Sequence, residues 1–524
     1  MLKLRLTPYT DLTEWHWDGT HYVTGDRLSH VTPYAHPLVE SLSVTDGVRT
    51  LIVVRERVTG RDQCEPLVRR LSPGEYDRTR ALAENWPTDY VLTETFPDQP
   101  ARVTVGACRT TPLYLAHDDR SLHGSWDMAD LREHARGLNP KEAARLLLYR
   151  PRYSSETLFR GILRLTERAT AHFGGHLNLR YPEPALHSGP RELTSHSDVL
   201  GAFTHAIDTA LDLRPWRPQD TIFHLTGGFD SGTVATRAAQ QHPDQLATAT
   251  LLIGGPGREQ QIRRRKEMRA AVPFTYRDTL TDAMAHLPLA PACDRMRGEA
   301  VSPYEEPLHH PFTQLTRTLA KDGAKALVTG LGGDEMVALA QHEYPHRAMG
   351  DISELPLLPW IGSRARAALE YADDAIAPPA VINSMTLLSL ETTAPILLRD
   401  GIWPLHPFAD PYMVQLGEWL PFHWRELKQL QRRRLASLGL SDDVTDPTER
   451  ESFAEVVQHA LTLHGRPLLA RMLRDGSPLL DTGLLDPDGL TAALHRLSSG
   501  TYQENGDAQL LQVINMHHAA LAYL

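Results

Sequence analysis

The stretch Ile222-Phe-His-Leu-Thr-Gly-Gly-Phe-Asp-Ser-Gly-Thr-Val-Ala holds the residue types that bind a polyphosphate. An apolar strand delivers the chain to Leu225 and Thr226. Gly227 and Gly228 permit backbone angles closed to other residues, and their N–H groups can turn inward as an anion nest. A helix opening near Ser231 and Gly232 adds free N–H groups and its positive dipole end. The hydroxyls of Thr226 and Ser231 can donate to phosphate oxygens. Asp230 is out of place beside an anion unless a cation sits between them, and magnesium is the cation that carboxylates and phosphates share. No Gly-Lys-Ser/Thr follows, so this is not the common P-loop, nor is it a dinucleotide fingerprint.

A second segment repeats the theme. Ala324-Lys-Ala-Leu-Val-Thr-Gly-Leu-Gly-Gly-Asp-Glu is again strand, glycine turn, acid. It puts Gly330, Leu331, Gly332 and Asp334 at the carboxyl end of a strand, the edge where parallel α/β sheets bind ligands. Two such turns can hold magnesium and pyrophosphate between Asp230 and Asp334. The predicted ligands are therefore a polyphosphate and Mg2+.

The elements that must position these turns alternate. A helix is expected over Ser197–Leu213, then the strand at Ile222, the helix from Ser231, a strand over Ala247–Ile253 and another over Ala324–Val328. Strand–helix alternation argues for a parallel, doubly wound sheet. After about residue 370 the chain reads almost entirely helical. Phe453, Val456, Val457, Ala460 and Leu461 fall at helical spacing as one buried stripe. The part before about Pro184 reads instead as strands and turns. Val91–Thr95 and Arg102–Cys108 flank a hairpin connection at Pro97-Asp-Gln-Pro, and Thr111–Ala116 meets Ser121–Trp126 across a turn. A helix follows at Pro140–Leu148. Arg180–Ser197, with three prolines and Gly189, reads as a linker. The expected division is residues 1–185 and 195–524.

Composition bounds the rest. The chain has 524 residues, 41% hydrophobic and 23% charged, with a formal net charge of -11. Two soluble domains are the natural reading, and the acidic balance argues against a nucleic-acid partner. Three cysteines (Cys64, Cys108 and Cys293) exclude a disulfide scaffold and fit no zinc spacing. No stretch approaches the roughly 20 apolar residues of a membrane span, and the N-terminal residues lack a signal-peptide core. A cytoplasmic location is expected. The pairs His309-His310 and His517-His518 point apart and suggest no metal site.

The two glycine turns resemble the signatures of the asparagine synthetase superfamily. Thr226-Gly-Gly-Phe-Asp-Ser is similar to its Ser-Gly-Gly-x-Asp-Ser loop, and Thr329-Gly-Leu-Gly-Gly-Asp-Glu to its Ser-Gly-Glu-Gly-x-Asp-Glu segment. Leu251-Leu-Ile-Gly-Gly-Pro-Gly-Arg-Glu resembles the strand and loop that embrace the nucleotide, which implies contacts from Leu252 and Ile253. Trp403-Pro-Leu-His-Pro-Phe-Ala-Asp resembles the later Pro-Phe-x-Asp segment. Thr111-Pro-Leu-Tyr and Leu158-Phe-Arg-Gly-Ile resemble segments of the family's first domain, so the likeness runs from about Trp86 onward. It implies a degenerate N-terminal nucleophile-hydrolase-like β-rich domain. It also implies a doubly wound ATP-pyrophosphatase domain (adenine nucleotide alpha hydrolase-like) with a helical C-terminal part. The implied chemistry is adenylation of a carboxylate, release of pyrophosphate, and attack by an amine. Asp230 and Asp334 would then ligate magnesium, and Thr226, Gly227, Gly228, Ser231 and Gly232 would hold pyrophosphate.

Three departures narrow this. Members that hydrolyse glutamine carry cysteine after the initiator methionine, whereas Leu2 stands here, so no thiolate is placed to attack an amide. That leaves free ammonia, an external amine, or an amine within the substrate. β-Lactam synthetases and lasso-peptide macrolactam cyclases resemble this chain in that respect. The cyclase is the preferred subtype, which implies a peptide substrate and a precursor-peptide protease as partner. A small-molecule ligase and a non-catalytic ATP-binding scaffold are the alternatives. Leu331 replaces the family's glutamate, and β-lactam synthetase has tyrosine there. A general base must then be Glu335, Glu391 or the substrate itself. Finally, Arg450 stands where the family has a lysine near pyrophosphate, and is preferred as the clamp over Lys428 and Arg432. Glu305-Glu306-Pro307 is expected to form a turn.

Overall fold

The structure, a computed structural model, describes residues 1–8, 14–339, 343 and 358–524. Its N-terminal part is built on two seven-stranded sheets. One runs in the order Ile162–Arg164, Tyr114–His117, Leu122–Ser125, Leu2–Leu6, His30–Pro33, Tyr22–Thr24, Trp15–Trp17. The other runs Leu177–Arg180, Thr170–Phe173, Ala101–Val105, Tyr90–Thr95, Thr50–Glu56, Val39–Thr45, Val68–Arg70. Period-two alternation decides how they stack. Ile52 and Val54 face the first sheet's Leu2, Leu4 and Leu6, while Leu51 and Val53 turn to Tyr76 and Ala83 of the helix Pro73–Glu84. On the far side of the first sheet, Tyr114, Ala116 and Ile162 pack on Ala143, Ala144 and Leu147 of the helix Pro140–Leu147. The layers are therefore helix, sheet, sheet, helix. The hairpin expected around Pro97 is present, with Val91 to Glu94 paired antiparallel to Arg102 to Val105. So is the pairing across His117–Arg120.

The C-terminal part is centred on five parallel strands, in the order Asp278–Asp282, Ala247–Leu252, Thr221–His224, Ala326–Val328, Trp403–Leu405. Adjacent residues of a strand serve opposite faces. Phe223 and Val328 join Val234, Ala235 and Ala238 of the helix Phe229–Gln241 and Phe203 of the helix Val199–Asp212. Ile222 and Leu327 join Phe312, Leu315 and Leu319 of the helix His309–Lys321, with Ile396 and Leu397 of Ser384–Arg399. Helices cover both faces, which is the doubly wound arrangement. The chain moves outward from Thr221–His224 to Ala247–Leu252 and Asp278–Asp282, then returns to its other side with Ala326–Val328. The order thus reverses between the two strands that carry the glycine turns, where a crevice opens at their carboxyl ends.

The region after residue 370 is largely helical as expected, but it also holds irregular stretches at 377–383 and 446–453 and the strand Trp403–Leu405. Pro404 is tolerated there because the strand is an edge. Val456, Ala460 and Leu461 are buried, with Phe453 and Val457 packed beside them. Residues between Arg180 and Val199 form no helix or strand. They are nevertheless held on the C-terminal part, where Ala185 N donates to Pro379 O at 2.8 Å and Arg191 N to Trp419 O at 2.9 Å.

Buried charges fasten the two parts together. Glu56, fully buried, accepts from Trp403 Nε1 at 2.8 Å and pairs with Arg214 at 2.7 Å. Arg399 pairs with Asp127 at 2.8 Å and Glu305 at 2.7 Å. Glu305 therefore serves the scaffold: against the cost of its burial, Arg399 and His309 hold its carboxyl well below the usual range. No helix among the described residues is long and apolar enough to cross a membrane.

Candidate active site

The first turn is folded by its own hydroxyls. Thr226 Oγ1 and Ser231 Oγ lie 2.8 Å apart, Thr226 N donates to Ser231 Oγ at 3.1 Å, and Gly228 N donates to Thr226 Oγ1 at 3.0 Å. Gly227 has φ 100°, which favours glycine. The helix Phe229–Gln241 begins at the cap residue Gly228 without a side-chain cap, two residues before the start expected from sequence. Its first-turn N–H groups are thus left by side chains for another acceptor. Behind the turn, a Cβ at Gly232 would meet Met268 Cε at 2.8 Å. Ile253 N donates to Gln261 Oε1 at 3.0 Å, fixing the neighbouring strand end beyond Leu252.

The second turn lies directly on the first. A Cβ at Gly330 would fall 2.6 Å from Ser231 N, and one at Gly333 would fall 2.4 Å from Asp230 Cγ. Only glycines allow this approach, so the second signature's spacing is a packing requirement. Gly332, at φ 96°, turns the chain into the short helix Gly333–Met336.

The two aspartates meet at one ammonium. Lys428 Nζ lies 2.6 Å from Asp230 Oδ2 and 2.6 Å from Asp334 Oδ1. Gln431 Nε2 donates to Asp230 Oδ1 at 3.2 Å and to Gly333 O at 3.3 Å, tying both turns to the helix Gln429–Ala436. Burial pushes Asp230 up, Asp334 adds to that, and Lys428 opposes it. Burial works against the Lys428 charge, yet the two carboxylates hold its pKa above the usual lysine value. Lys428 lies at the start of the helix Gln429–Ala436, not within it. It caps the helix at φ 58°, after Leu427 at φ 51°. Two consecutive left-handed residues without glycine are costly, roughly 1–3 kcal/mol each, and such strain clusters where a side chain must be aimed.

Arg450 is exposed, with its carbonyl oxygen 3.3 Å from where a Cβ of Gly257 would lie. The adjacent residue reaches the turn. Glu451 Oε1 sits 3.0 Å from the Cβ position of Gly227, Oε2 sits 3.4 Å from that of Gly228, and Arg264 pairs with Glu451 at 2.8 Å. Burial pushes the Glu451 carboxyl up against the pull of Arg264, Arg265 and Lys428. Arg264 and Arg432 both stack on Phe229, at 5.0 and 4.6 Å from the ring centre. Sequence reasoning missed Glu451 and Gln431 and ranked Lys428 low. A lysine three residues before a glutamine is too common a pattern to find them.

Of the two carboxylates considered as bases, Glu391 is committed elsewhere. It is buried, accepts from Tyr114 OH, and pairs with Arg164 at 2.9 Å. Glu335 lines a cleft of about 630 Å³ beside Gly332 and Met336. Burial raises its pKa, and Asp334 and Asp230 add to that. Leu331 is half-buried and packs on the apolar cluster that includes Tyr153, Ile382 and Leu387. The thiols are poor nucleophiles: burial pushes Cys64, Cys108 and Cys293 all upward. Leu2 is buried in its strand. The histidine pairs form no metal cluster, and no group of three or more metal-ligating side chains occurs among the described residues.

That donor count suits magnesium bound with its substrate. Mg2+ usually takes one or two carboxylates and completes its shell with water and phosphate oxygens. Asp230 and Asp334 are two carboxylates already gathered around one positive charge. The arrangement can accept a metal–polyphosphate, with an uncapped helix start on one side and Lys428 between the acids.

A comparison with curated proteins finds no match. A family model gives one, over residues 206–393, a span that includes both glycine turns and stops short of Lys428 and Glu451. Residues 206–393 of this chain are thus similar to the asparagine synthase family, which supports ATP-dependent amidation chemistry in general.

Proposed function

We propose that the chain activates a substrate carboxylate with ATP and joins it to an amine, releasing AMP and pyrophosphate. The observation that carries this is the Lys428 ammonium held 2.6 Å from both Asp230 and Asp334. Adenylation needs a site where cations offset the charge of the leaving pyrophosphate, and two acids gathered around a cation beside an uncapped helix fit that need. A substrate carboxylate oxygen attacks the α-phosphorus and displaces pyrophosphate. The amine nitrogen then attacks the acyl carbon, AMP leaves with the bond electrons, and the amine proton passes to Glu335. Magnesium, held by Asp230 and Asp334, supplies charge neutralisation when bound. Thr226, Gly227, Gly228 and Ser231 cradle pyrophosphate and Lys428 moves onto its oxygens. Leu225, Leu252, Ile253 and Gly330 shape the nucleotide side, and Arg450 closes the rim.

We read residues 1–185 as a nucleophile-hydrolase-like domain that has lost its chemistry, and residues 195–524 as the ligase domain. The raised thiols support an amine source other than glutamine. An amine carried by the substrate itself favours a cyclase, and a peptide macrolactam cyclase is the preferred subtype. The test is pyrophosphate release from ATP, magnesium and pooled carboxylates or precursor peptides. Asp230→Ala is expected to abolish release, and full turnover in that variant would remove the assignment.

A further inference from the structure

A groove of about 450 Å³ lies where the helices Val199–Asp212, Phe229–Gln241 and Gln429–Ala436 meet. That volume falls within the range of about 300–1,000 Å³ typical of small-molecule sites. Gln240 places the groove at the far end of the helix Phe229–Gln241, about 15 Å from Asp230 at 1.5 Å per residue. It is therefore separate from the two glycine turns. Leu200 and Leu438 supply apolar wall, and Thr204, His205, Gln240 and Ser437 supply polar groups.

The unbalanced charge of this groove is Arg434, which is only 5% exposed. Its Nη2 donates to Gln240 Oε1 at 2.8 Å and its Nη1 to Ser437 Oγ at 3.2 Å, while Nε is buried without a partner. Both acceptors are neutral and belong to exposed residues. A buried guanidinium ordinarily takes a carboxylate, because burial without one leaves its charge uncompensated. Among the described residues the one acid lining the groove is Asp208, and Arg237 already holds both of its oxygens, at 2.6 and 2.5 Å. Burial lowers the Arg434 pKa, Arg237 adds to that, and Asp208 opposes it. With Asp208 and Arg237 neutralising each other, one positive charge is left over.

We propose that this groove is a binding site for a small organic carboxylate, remote from the nucleotide. The two carboxylate oxygens replace Gln240 Oε1 and Ser437 Oγ on the fork of Arg434, and the apolar body of the ligand lies on Leu200 and Leu438. A single unbalanced guanidinium matches a monoanion, and its planar fork matches a carboxylate bidentately. The exchange trades two neutral acceptors for charged ones, which make the stronger bonds. Gln240 and Ser437, being exposed, turn to water when displaced and leave no buried polar group behind.

The test uses the full chain and isothermal titration with two probes, 4-bromobenzoate and its neutral isostere 4-bromobenzamide. The acid is expected to bind roughly 10- to 100-fold tighter than the amide, the range for a charge-assisted hydrogen bond. Arg434→Gln should erase that preference. Thr204→Trp narrows the groove and leaves the hydrogen bonds of Arg434 in place, so it tests the site even if Arg434→Gln fails to fold; it should weaken 4-bromobenzoate at least roughly 10-fold on the same scale. In crystals soaked with the acid, the bromine anomalous signal is expected beside Leu200 and Leu438. Equal binding of acid and amide, no binding of the acid, a preference that survives in folded Arg434→Gln, unchanged affinity in Thr204→Trp, or a bromine signal only elsewhere would each overturn the proposal.

Discussion

Replacing Lys428 by methionine keeps the aliphatic stem and deletes the charge between the two aspartates. Each carboxylate oxygen lies 2.6 Å from Nζ, so the two oxygens are at most about 5.2 Å apart. Two unit charges at that distance repel by about 0.8 kcal/mol in water and about 3 kcal/mol at an effective dielectric of 20. Asp334 is 75% exposed, so solvent screening pulls the figure toward the lower end. Without the ammonium, magnesium meets two acids with no internal competitor. Its affinity in the absence of nucleotide should rise roughly 4- to 10-fold, the equivalent of about 0.8–1.4 kcal/mol. Pyrophosphate release should move the other way. Loss of a preorganised donor to developing charge costs about 10²–10³ in rate. Mn2+ binding followed by electron paramagnetic resonance reads the first effect, and a coupled pyrophosphate assay reads the second. If metal affinity and turnover fell together, Lys428 would be a scaffold residue. If neither changed, the cation bridge would be irrelevant to function.

Three further outcomes follow from the structure. Gly333→Ala puts a Cβ 2.4 Å from Asp230 Cγ, so Asp230 must shift and pyrophosphate release should fall by about 10², the scale of a 1 Å misplacement; wild-type turnover would refute the contact. Glu451→Gln removes a negative charge from the mouth of the first turn and frees Arg264. AMPCPP affinity should rise roughly 5-fold, for about 1 kcal/mol of relieved repulsion, whereas a drop would make Glu451 a metal ligand instead. Glu167 is buried and burial raises its pKa from 4.5 to about 7. The native state therefore holds this proton where the unfolded chain has lost it. Stability from this group is present below about pH 4.5 and disappears as pH rises to about 7, a loss of about 3 kcal/mol. Glu167→Gln should raise the denaturation midpoint at pH 8 and flatten the profile between pH 5 and 7; an unchanged profile would contradict the assignment.

Much of the architecture was legible because its signals are local. Glycine pairs after short apolar runs marked both turns, and strand–helix alternation marked the parallel sheet. Asp278–Asp282 escaped because Asp-Thr-Leu-Thr-Asp is polar and sits at an edge, where only one neighbour is needed. Trp403–Leu405 escaped because it is three residues long and contains proline. The helix Pro73–Glu84 lay within a part read mainly as strands and turns, although Ser72 and Glu75 form its capping box. For the site, the meeting of Asp230 and Asp334 was readable from two similar turns on adjoining strands. The cation was not, because Lys428 reaches them from a left-handed cap almost 100 residues past the second turn. Helical spacing carries no information about such a residue. The same holds for Arg450 and Glu451: on an irregular loop, a shift of one residue decides which side chain faces the turn.

The account depends on one shared metal–phosphate position between the turns. A crystal structure of the chain with magnesium and AMPCPP tests it directly. The expected result is a metal ion at about 2.0–2.1 Å from an oxygen of Asp230 and one of Asp334, the β- and γ-phosphates over Gly227 and Gly228, and Lys428 turned onto a phosphate oxygen. Triphosphate bound elsewhere, or bound here with no metal on either aspartate, would contradict it.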